Sequence, residues 1–418
     1  MTADDERMAH ARRGRGVGGA RFRRAKLLGP VVITAALALG PGSVLSAAAV
    51  GGSYGYDVLW LLAASAVFSF AFVDMGVRLG LVLQESPVQA IKKEIAGPVG
   101  VIVGAGYFIM AVLFLVGSAL GAIIGLHLIF GGATQVWVVV VAAASLAIVW
   151  SRSGAYRRLE VVMIALIGVM LVAFVVTAFL TSPDWVTVGN GFIPSSLPTG
   201  VNILVVLALL ATNVEIYTAF YAAYTVREKG TTRAQYRDTT LSDTLIGVLS
   251  PVLVVCLVII AAATVLQGRS VESATDVADV LGAVVGPAGP YIFAVGIFAA
   301  GFSSVIGNMT AGGTIFADGM NLGSTLTARA VRVVGSVILL IGLVIILVAG
   351  QAPVELVIVV NALSLLILPF LAVIMLWMCN RRSLMGELKN RLGHNVLAVG
   401  GLVLVGWSAV QLIEGLFA

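Results

Sequence analysis

Eleven apolar runs, each close to the length of a membrane-crossing helix, limit what this chain can fold into. A helix needs about 20 mostly apolar residues to cross the hydrocarbon core of a bilayer. The runs lack the alternation of apolar and polar residues that a membrane β-barrel requires. They cover residues 28–50, 55–79, 101–130, 135–150, 159–180, 201–224, 241–266, 291–316, 330–349, 354–378 and 395–416. The pattern predicts an all-α membrane protein with eleven transmembrane helices.

The composition excludes the soluble classes of protein. Of the 418 residues, 60% are hydrophobic and only 11% are charged, whereas a soluble domain carries about 25% charged residues. The basic residues stand in short clusters between the apolar runs, without interleaved aromatic residues, so they indicate no nucleic-acid partner. The two cysteines and three histidines are too few and too scattered for a disulfide framework or a zinc site. We expect neither a cofactor nor enzymatic activity.

The positions of the basic residues predict the orientation of the chain in the cytoplasmic membrane. Cytoplasmic loops of membrane proteins are enriched in Lys and Arg. Residues 1–27 form a basic tail, and the apolar run that follows is too long for a signal peptide, so we expect a retained first helix. With the tail inside, only Arg269 of the 25 Lys and Arg residues lies outside. This predicts a cytoplasmic N-terminus and an external C-terminus.

Two spans carry signals of a functional site inside the bundle. Residues 40–43, Gly-Pro-Gly-Ser, lie near the centre of the first span, where they indicate either a break that frees backbone groups or a simple kink. The sixth span carries Glu215 near mid-depth. A carboxylate there is costly and usually faces a cavity or a partner. A structural hydrogen bond or a protonated Glu215 would also accommodate it.

Breaks in the first and sixth spans predict an internal repeat. Units that are five spans apart have opposite orientations in the membrane, which is typical of inverted repeats whose broken helices meet at the midplane. We expect a first repeat over residues 28–180, with helices 1–5, and a second over residues 201–379, with helices 6–10. Residues 394–418 would form an additional eleventh helix.

Several segments, in order along the chain, resemble the Nramp (natural resistance-associated macrophage protein) family of divalent metal transporters. Residues 156–185, YRRLEVVMIALIGVMLVAFVVTAFLTSPDW, are similar to the family's fifth span. The further matches are LGP at residues 28–30, GYDVLW at 55–60, RLG at 78–80, VREKG at 226–230, AGFSS at 300–304 and LMGE at 384–387. The resemblance implies a leucine-transporter-type fold, with a substrate held between the broken first and sixth helices.

The resemblance also shows which of the family's functional side chains differ here. The family's Asp-Pro-Gly-Asn motif matches residues 40–43, so both of its metal-binding side chains are replaced. The family's Met-Pro-His motif in the sixth helix matches residues 215–217, so a carboxylate replaces the thioether. The family's third-span acids match Leu115 and Ser118, and its tenth-span glutamine matches Ile367. Transport of iron or manganese and coupling to protons therefore stay open.

The candidate site consists of oxygen donors. Glu215 and the Ser43 hydroxyl are the expected metal ligands, completed by freed carbonyls around Gly40. Oxygen-only ligand sets suit hard ions such as Mg²⁺ or Ca²⁺ better than iron or copper. The other residues that we expect to bind substrate are Asn213, Tyr217 and Thr218.

Three functions are compatible with these features. The first is an Nramp-like secondary transporter that moves a cation, preferably a hard divalent ion such as Mg²⁺, by alternating access across the cytoplasmic membrane. The second is a transporter of a small organic cation or an amino acid, because the changes at residues 40–43 make room. The third is a membrane sensor or binding protein that does not transport. The expected partners are a small cation and the lipid bilayer.

Overall fold

The computed structural model of the chain describes residues 34, 35, 37, 40–151, 155–194, 203–266, 278, 286–349 and 354–417. The predicted basic tail and Arg269 lie outside these residues. Helices dominate the described part, and it contains no strand. This confirms the predicted all-α class.

Helices occupy all eleven predicted spans. Among the described residues, eight spans contain helices long and apolar enough to cross a membrane, and the fourth and fifth contain shorter apolar helices. The described part of the first span contains the 14-residue helix Pro41–Tyr54. The helices of the first half are α1 (Pro41–Tyr54), α2 (Leu59–Val82), α3 (Pro87–Glu94), α4 (Gly97–Phe130), α5 (Thr134–Val149) and α6 (Ala155–Leu180). Of these, α3 is a short connecting helix between the second and third spans.

The second half contains two spans that are divided. The sixth consists of α8 and α9, and the tenth of α14 and α15, joined by a 3₁₀ turn. The helices are α7 (Trp185–Asn190), α8 (Ile203–Asn213), α9 (Ile216–Glu228), α10 (Tyr236–Thr239), α11 (Leu245–Val265), α12 (Gly289–Gly319), α13 (Arg329–Ala349), α14 (Val354–Leu363), α15 (Leu368–Asn380), α16 (Arg382–Met385) and α17 (Leu392–Phe417). A π-helical turn, Thr240–Thr244, leads into α11.

Two closely packed helix pairs form the frame of the bundle. Helix α4 runs along α12, where a Cβ at Gly301 would meet the backbone of Ala122. Helix α2 runs along α9, where a Cβ at Gly76 would meet the carbonyl of Ala219. In lipid, burial of apolar surface does not drive the association of helices. Close van der Waals contact between helices stabilises the bundle instead, and small residues allow this contact. The candidate site lies between these two pairs.

The connecting segments meet at two opposite ends of the bundle. At one end, the backbone N–H of Trp60 donates to the Gly191 carbonyl at 3.0 Å, and the Tyr56 hydroxyl forms a hydrogen bond with the Thr264 hydroxyl at 2.9 Å. At the other end, which we call the basic end, Arg227 donates to the carbonyls of residues 83–85. The basic end also holds Lys92.

A buried ion pair at the basic end ties α2 to later parts of the chain. Arg78 Nε lies 2.8 Å from Asp74 Oδ2, with exposed fractions of 3% and 1%. Asp74 Oδ2 also lies 3.4 Å from His394 Nε2, and Arg78 donates to the Leu388 carbonyl at 2.9 Å. The Tyr236 hydroxyl donates to Asp74 Oδ1 at 2.9 Å. Burial and the adjacent carboxylate raise the pKa of Tyr236 to about 12, so its hydroxyl stays protonated and able to donate.

Candidate cation-binding site

The first span is broken at Gly40. This residue has an extended backbone (φ −82°, ψ 159°), between helical residues 34, 35 and 37 and the start of α1. Pro41 occupies the first turn of α1, where its missing N–H costs nothing. Its ring packs where Gly121 of α4 has no side chain. Of the two interpretations of residues 40–43, the structure therefore shows the break.

The sixth span is broken without a proline. Helix α8 ends at Asn213 and α9 begins at Ile216, so Val214 and Glu215 lie between them. The Ser69 hydroxyl of α2 bridges this gap, because it donates to the Asn213 carbonyl at 2.7 Å and accepts from the Glu215 N–H at 3.1 Å. A neighbouring side chain thus pairs two of the backbone groups that the break leaves without helical partners, as suits a break at membrane depth.

Glu215 presents one carboxylate oxygen that lacks a partner. The side chain is only 3% exposed and stands at the N-cap of α9, where the helix dipole favours negative charge. Thr218 donates to Glu215 Oε2 at 3.1 Å and to the Glu215 carbonyl at 3.0 Å. Glu215 Oε1 is buried and has no hydrogen-bond partner among the described residues. An unpaired buried oxygen is costly, so Oε1 marks the position where a ligand would be stabilised.

A cavity of about 30 Å³ lies between the two breaks. It is large enough for a small ion or for about two waters, since one water needs roughly 10–15 Å³. The predicted residues that line it are Gly40, Ser43, Glu215, Tyr217 and Thr218. The apolar part of the wall consists of Leu37, Phe114, Ala211 and Val214. The structure thus brings together five of the six residues expected from the sequence.

Asn213 is the predicted residue that does not line the cavity. Its amide donates to the Leu209 carbonyl at 2.7 Å, one turn earlier in α8, and to the Thr212 hydroxyl at 3.3 Å. The side chain is therefore engaged by its own helix. Asn213 contributes to the site through its carbonyl, which accepts the hydrogen bond from Ser69.

Tyr217 lines the cavity with its ring, and its polar groups bind neighbouring helices. Its ring stacks on Tyr107 of α4 with centroids 4.2 Å apart, and the Tyr107 hydroxyl donates to the Tyr217 carbonyl at 2.5 Å. The Tyr217 hydroxyl donates to Asn308 Oδ1 of α12 at 3.0 Å. These contacts fix the first turn of α9 and, with it, the position of Glu215.

Asn361 of α14 lines the cavity although the sequence pattern did not single it out. Its side chain is 2% exposed, and its amide nitrogen has no hydrogen-bond partner among the described residues. Gly42 permits this position, because a Cβ there would overlap the Asn361 amide. Ile367, which the resemblance matched to a metal-binding glutamine, packs instead near Gly106 of α4. The sequence signal that could have identified Asn361 is its position as a lone amide within an apolar run.

Thr212 and Ser118 are two further polar residues of the cavity wall that were not predicted as ligands. Both hydroxyls donate to carbonyls of their own helices, at 3.0 Å to Leu209 and 2.7 Å to Phe114. Their remaining lone pairs make the wall more polar. Among the described residues that line the cavity, the side-chain atoms able to coordinate a cation are therefore all oxygens.

The sequence profile of the family described as Natural resistance-associated macrophage protein-like, Nramp, matches residues 31–414. The chain belongs to the Nramp family. The divalent metal cation transporter MntH of Deinococcus radiodurans is 26% identical to this Nramp chain over 419 residues, covering 96% of it and 94% of the relative. The MntH protein of Staphylococcus saprophyticus is 24% identical, covering 89% of this chain and 87% of its own. Nramp proteins are transporters, not enzymes.

Solved structures share the fold of this Nramp chain. A variant of the Eremococcus coleocola manganese transporter superposes with a TM-score of 0.78 at 19% identity, covering 94% of this chain and 87% of the other. MhsT, solved in complex with L-phenylalanine, gives a TM-score of 0.58 at 14% identity, covering 91% and 98%. These likenesses confirm the predicted leucine-transporter-type fold of a multi-pass membrane protein.

Proposed function

We propose that this protein transports a divalent cation across the cytoplasmic membrane by alternating access around the Glu215 cavity. The observation that carries the proposal is Glu215 Oε1, which is buried beside a cavity between two helix breaks and has no partner among the residues that the structure describes. Broken helices at the centre of such a bundle bind ions through freed backbone groups and a few side chains. Relatives named divalent metal cation transporters support the same class of substrate.

The donor atoms favour a hard divalent ion such as Mg²⁺. None of the described residues that line the cavity is Met, Cys or His, the side chains that soft transition metals prefer. Glu215 and Ser43 are the proposed ligands, joined by the Asn361 amide oxygen, which amide rotation can turn into the cavity. Mg²⁺ retains several waters and is commonly bound by one or two carboxylates. One carboxylate with neutral oxygens therefore suits a partly hydrated Mg²⁺.

The size of the cavity favours an inorganic ion over an organic solute. Pockets for small organic ligands typically enclose about 300–1,000 Å³, whereas this cavity measures about 30 Å³. An amino acid would need a much wider separation of α1 from α9. A metal ion with one water, which together take about the space of two waters, needs no such rearrangement.

We propose that the basic end faces the cytoplasm. The segments that meet there carry Arg78, Lys92 and Arg227. Positive residues concentrate on the cytoplasmic side of membrane proteins. Passage from the Glu215 cavity to the cytoplasm would then follow α9, which begins at the cavity and ends near Arg227.

Flux measurements in proteoliposomes test the substrate. Protein reconstituted in liposomes is supplied with Mg²⁺, Ca²⁺ or Mn²⁺, and uptake is followed with an ion-sensitive dye, with protein-free liposomes as control. We expect saturable Mg²⁺ uptake that exceeds Mn²⁺ uptake. Uptake of Mn²⁺ without Mg²⁺ would contradict the hard-ion preference but retain transport. Binding of ions without any flux would contradict transport and favour a sensor.

The Gly42→Ala variant tests whether the position of Asn361 matters. The added methyl would overlap the Asn361 amide, and so displace α14 or fill part of the cavity. We expect cation affinity to fall about tenfold, which corresponds to roughly 1.4 kcal/mol. Because the added methyl overpacks the contact between α1 and α14, we also expect the free energy of unfolding to fall by about 1–3 kcal/mol. Isothermal titration with Mg²⁺ measures the affinity. Gly168→Ala is the matched control, since no atom of the described residues lies within 4 Å of a Cβ there. Equal affinities in the two variants would exclude Asn361 from the site.

A further inference from the structure

A row of buried tyrosines leads from the cavity towards the basic end. Tyr217, Tyr221 and Tyr224 stand at positions i, i+4 and i+7 of α9, so they share one face of the helix. Seven residues of α-helix span about 10 Å. All three side chains are buried. Packing between membrane helices does not require three phenol groups on one face, because small residues allow closer contact. The polar groups of this face therefore need another explanation.

The partners of these tyrosines lie on α12. The Tyr217 hydroxyl donates to Asn308 Oδ1 at 3.0 Å, next to the cavity. The Tyr224 hydroxyl donates to Asp318 Oδ2 at 2.7 Å, at the far end. Between them, the Tyr221 hydroxyl lies near Thr310 and has no hydrogen-bond partner within the part of the chain that the structure describes. We call this surface the inner seam, formed by Tyr217, Tyr221 and Tyr224 of α9 and by Asn308, Thr310 and Asp318 of α12.

The far end of the inner seam is held closed by α3. Gln89 donates to Asp318 Oδ1 at 3.1 Å and to the Asp318 carbonyl at 2.9 Å. Lys92 donates to the Gly319 carbonyl at 2.6 Å and to Asn321 Oδ1 at 2.7 Å. The Val88 N–H also donates to the Tyr224 hydroxyl at 3.3 Å. Asp318 is only 2% exposed, so these hydrogen bonds shield the carboxylate from water.

We propose that the inner seam is the cytoplasmic half of the transport path and that the Tyr224–Asp318 hydrogen bond, held by α3, is its latch. The cation route rests on the proposed function. Alternating access requires the cavity to open to each side in turn, and on this side α9 can separate from α12 only if the seam breaks. Separation would line the gap with hydroxyls and free Asp318 Oδ2 from Tyr224, while Oδ1 keeps its hydrogen bond from Gln89. This carboxylate would attract the cation that leaves Glu215.

Cysteine labelling tests the latch without any transport measurement. Thr310→Cys is introduced after both native cysteines, Cys256 and Cys379, have been replaced by Ala. Inside-out vesicles are then exposed to a membrane-impermeant methanethiosulfonate reagent. With the seam closed, the new thiol is buried and labels slowly. We expect Tyr224→Phe, which removes the hydroxyl that binds Asp318, to raise the labelling rate at least tenfold.

Two further variants keep the test decisive. Gln89→Ala loosens the latch from the side of α3 and is expected to accelerate labelling in the same direction, even if Tyr224→Phe folds poorly. Tyr236→Phe is the matched control, because this tyrosine binds Asp74 at the same end but lies outside the inner seam. Unchanged labelling in both Tyr224→Phe and Gln89→Ala would overturn the latch. Equal acceleration by Tyr236→Phe would also overturn it.

Protection by ions tests the route separately. With the latch weakened by Tyr224→Phe, millimolar Mg²⁺, Ca²⁺ or Mn²⁺ should slow labelling of the Thr310→Cys thiol at least threefold if the cation occupies the seam. Accelerated labelling that none of the three ions slows would support the latch and contradict the cation route. Failure of the proposed function therefore has a different signature from failure of the latch.

Discussion

Glu215→Gln is expected to reduce divalent cation flux roughly 100-fold. The substitution keeps the length of the side chain and its hydrogen bond with Thr218, but it removes the carboxylate charge beside the cavity, where Oε1 has no partner in the described part of the chain. Loss of one partner of a buried charge pair costs about 2–5 kcal/mol, and about 3 kcal/mol corresponds to 100-fold in affinity. Initial rates of uptake in proteoliposomes, measured below saturation, report this loss directly.

The matched control is Glu228→Gln. It makes the same chemical change on the same helix, but Glu228 is exposed and stands at the opposite end of α9. We expect its uptake to equal that of the unaltered protein. If Glu215→Gln and Glu228→Gln transport equally well, the carboxylate in the cavity does not bind the transported ion. Thermal unfolding of both variants shows whether a loss of flux reflects a loss of fold.

The spans were predictable because membrane thickness sets a simple length rule. An apolar run of about 20 residues must become a helix in lipid, since no water is present to pair free backbone groups. The same rule does not locate breaks. At Gly40 and Pro41 the residue types are themselves a signal. At Val214 and Glu215 the break depends on Ser69, which lies 146 residues away from Glu215 in sequence.

Side-chain direction limited what could be predicted of the site. Glu215, Tyr217 and Thr218 reach the cavity because they belong to the turn that begins at the break. Asn213, two residues before Glu215, faces the carbonyl of Leu209 instead. A short amide in a helix can bond to its own backbone. Residue type and depth in the membrane do not tell us whether such a side chain reaches the cavity or bonds to its own helix.

Contacts between distant parts of the chain further limited what could be predicted of the site. Asn361 reaches the cavity because α14 passes beside α1 at Gly42, a contact between the first and tenth spans. In the sequence, Asp318 is compatible with a helix cap or an interfacial anchor. The structure buries it against Tyr224, 94 residues earlier in the chain. Contacts of this kind depend on the folded arrangement of spans and have no local signature.

Asp74→Ala is expected to lower the free energy of unfolding by about 3–5 kcal/mol, because it leaves Arg78 buried without its counter-charge. Arg78 Nε lies 2.8 Å from Asp74 and both side chains are almost fully buried. The carboxylate also accepts from Tyr236 and contacts His394, so its removal releases α10 and the start of α17 together. Equilibrium unfolding in detergent micelles, followed by tryptophan fluorescence, measures the difference.

The double variant Asp74→Ala with Arg78→Ala separates the charge from the packing. Removing both charges leaves no uncompensated ion, so we expect it to be more stable than Asp74→Ala alone, which would show coupling in a double-mutant cycle. Lys93→Ala is the control, because its pair with Glu85 is 70% and 38% exposed and such pairs contribute under about 1 kcal/mol. If Asp74→Ala costs no more than Lys93→Ala, the cluster does not hold α2 to α10 and α17. In that case the basic end would depend on the contacts of Arg227 and Lys92 for its closure.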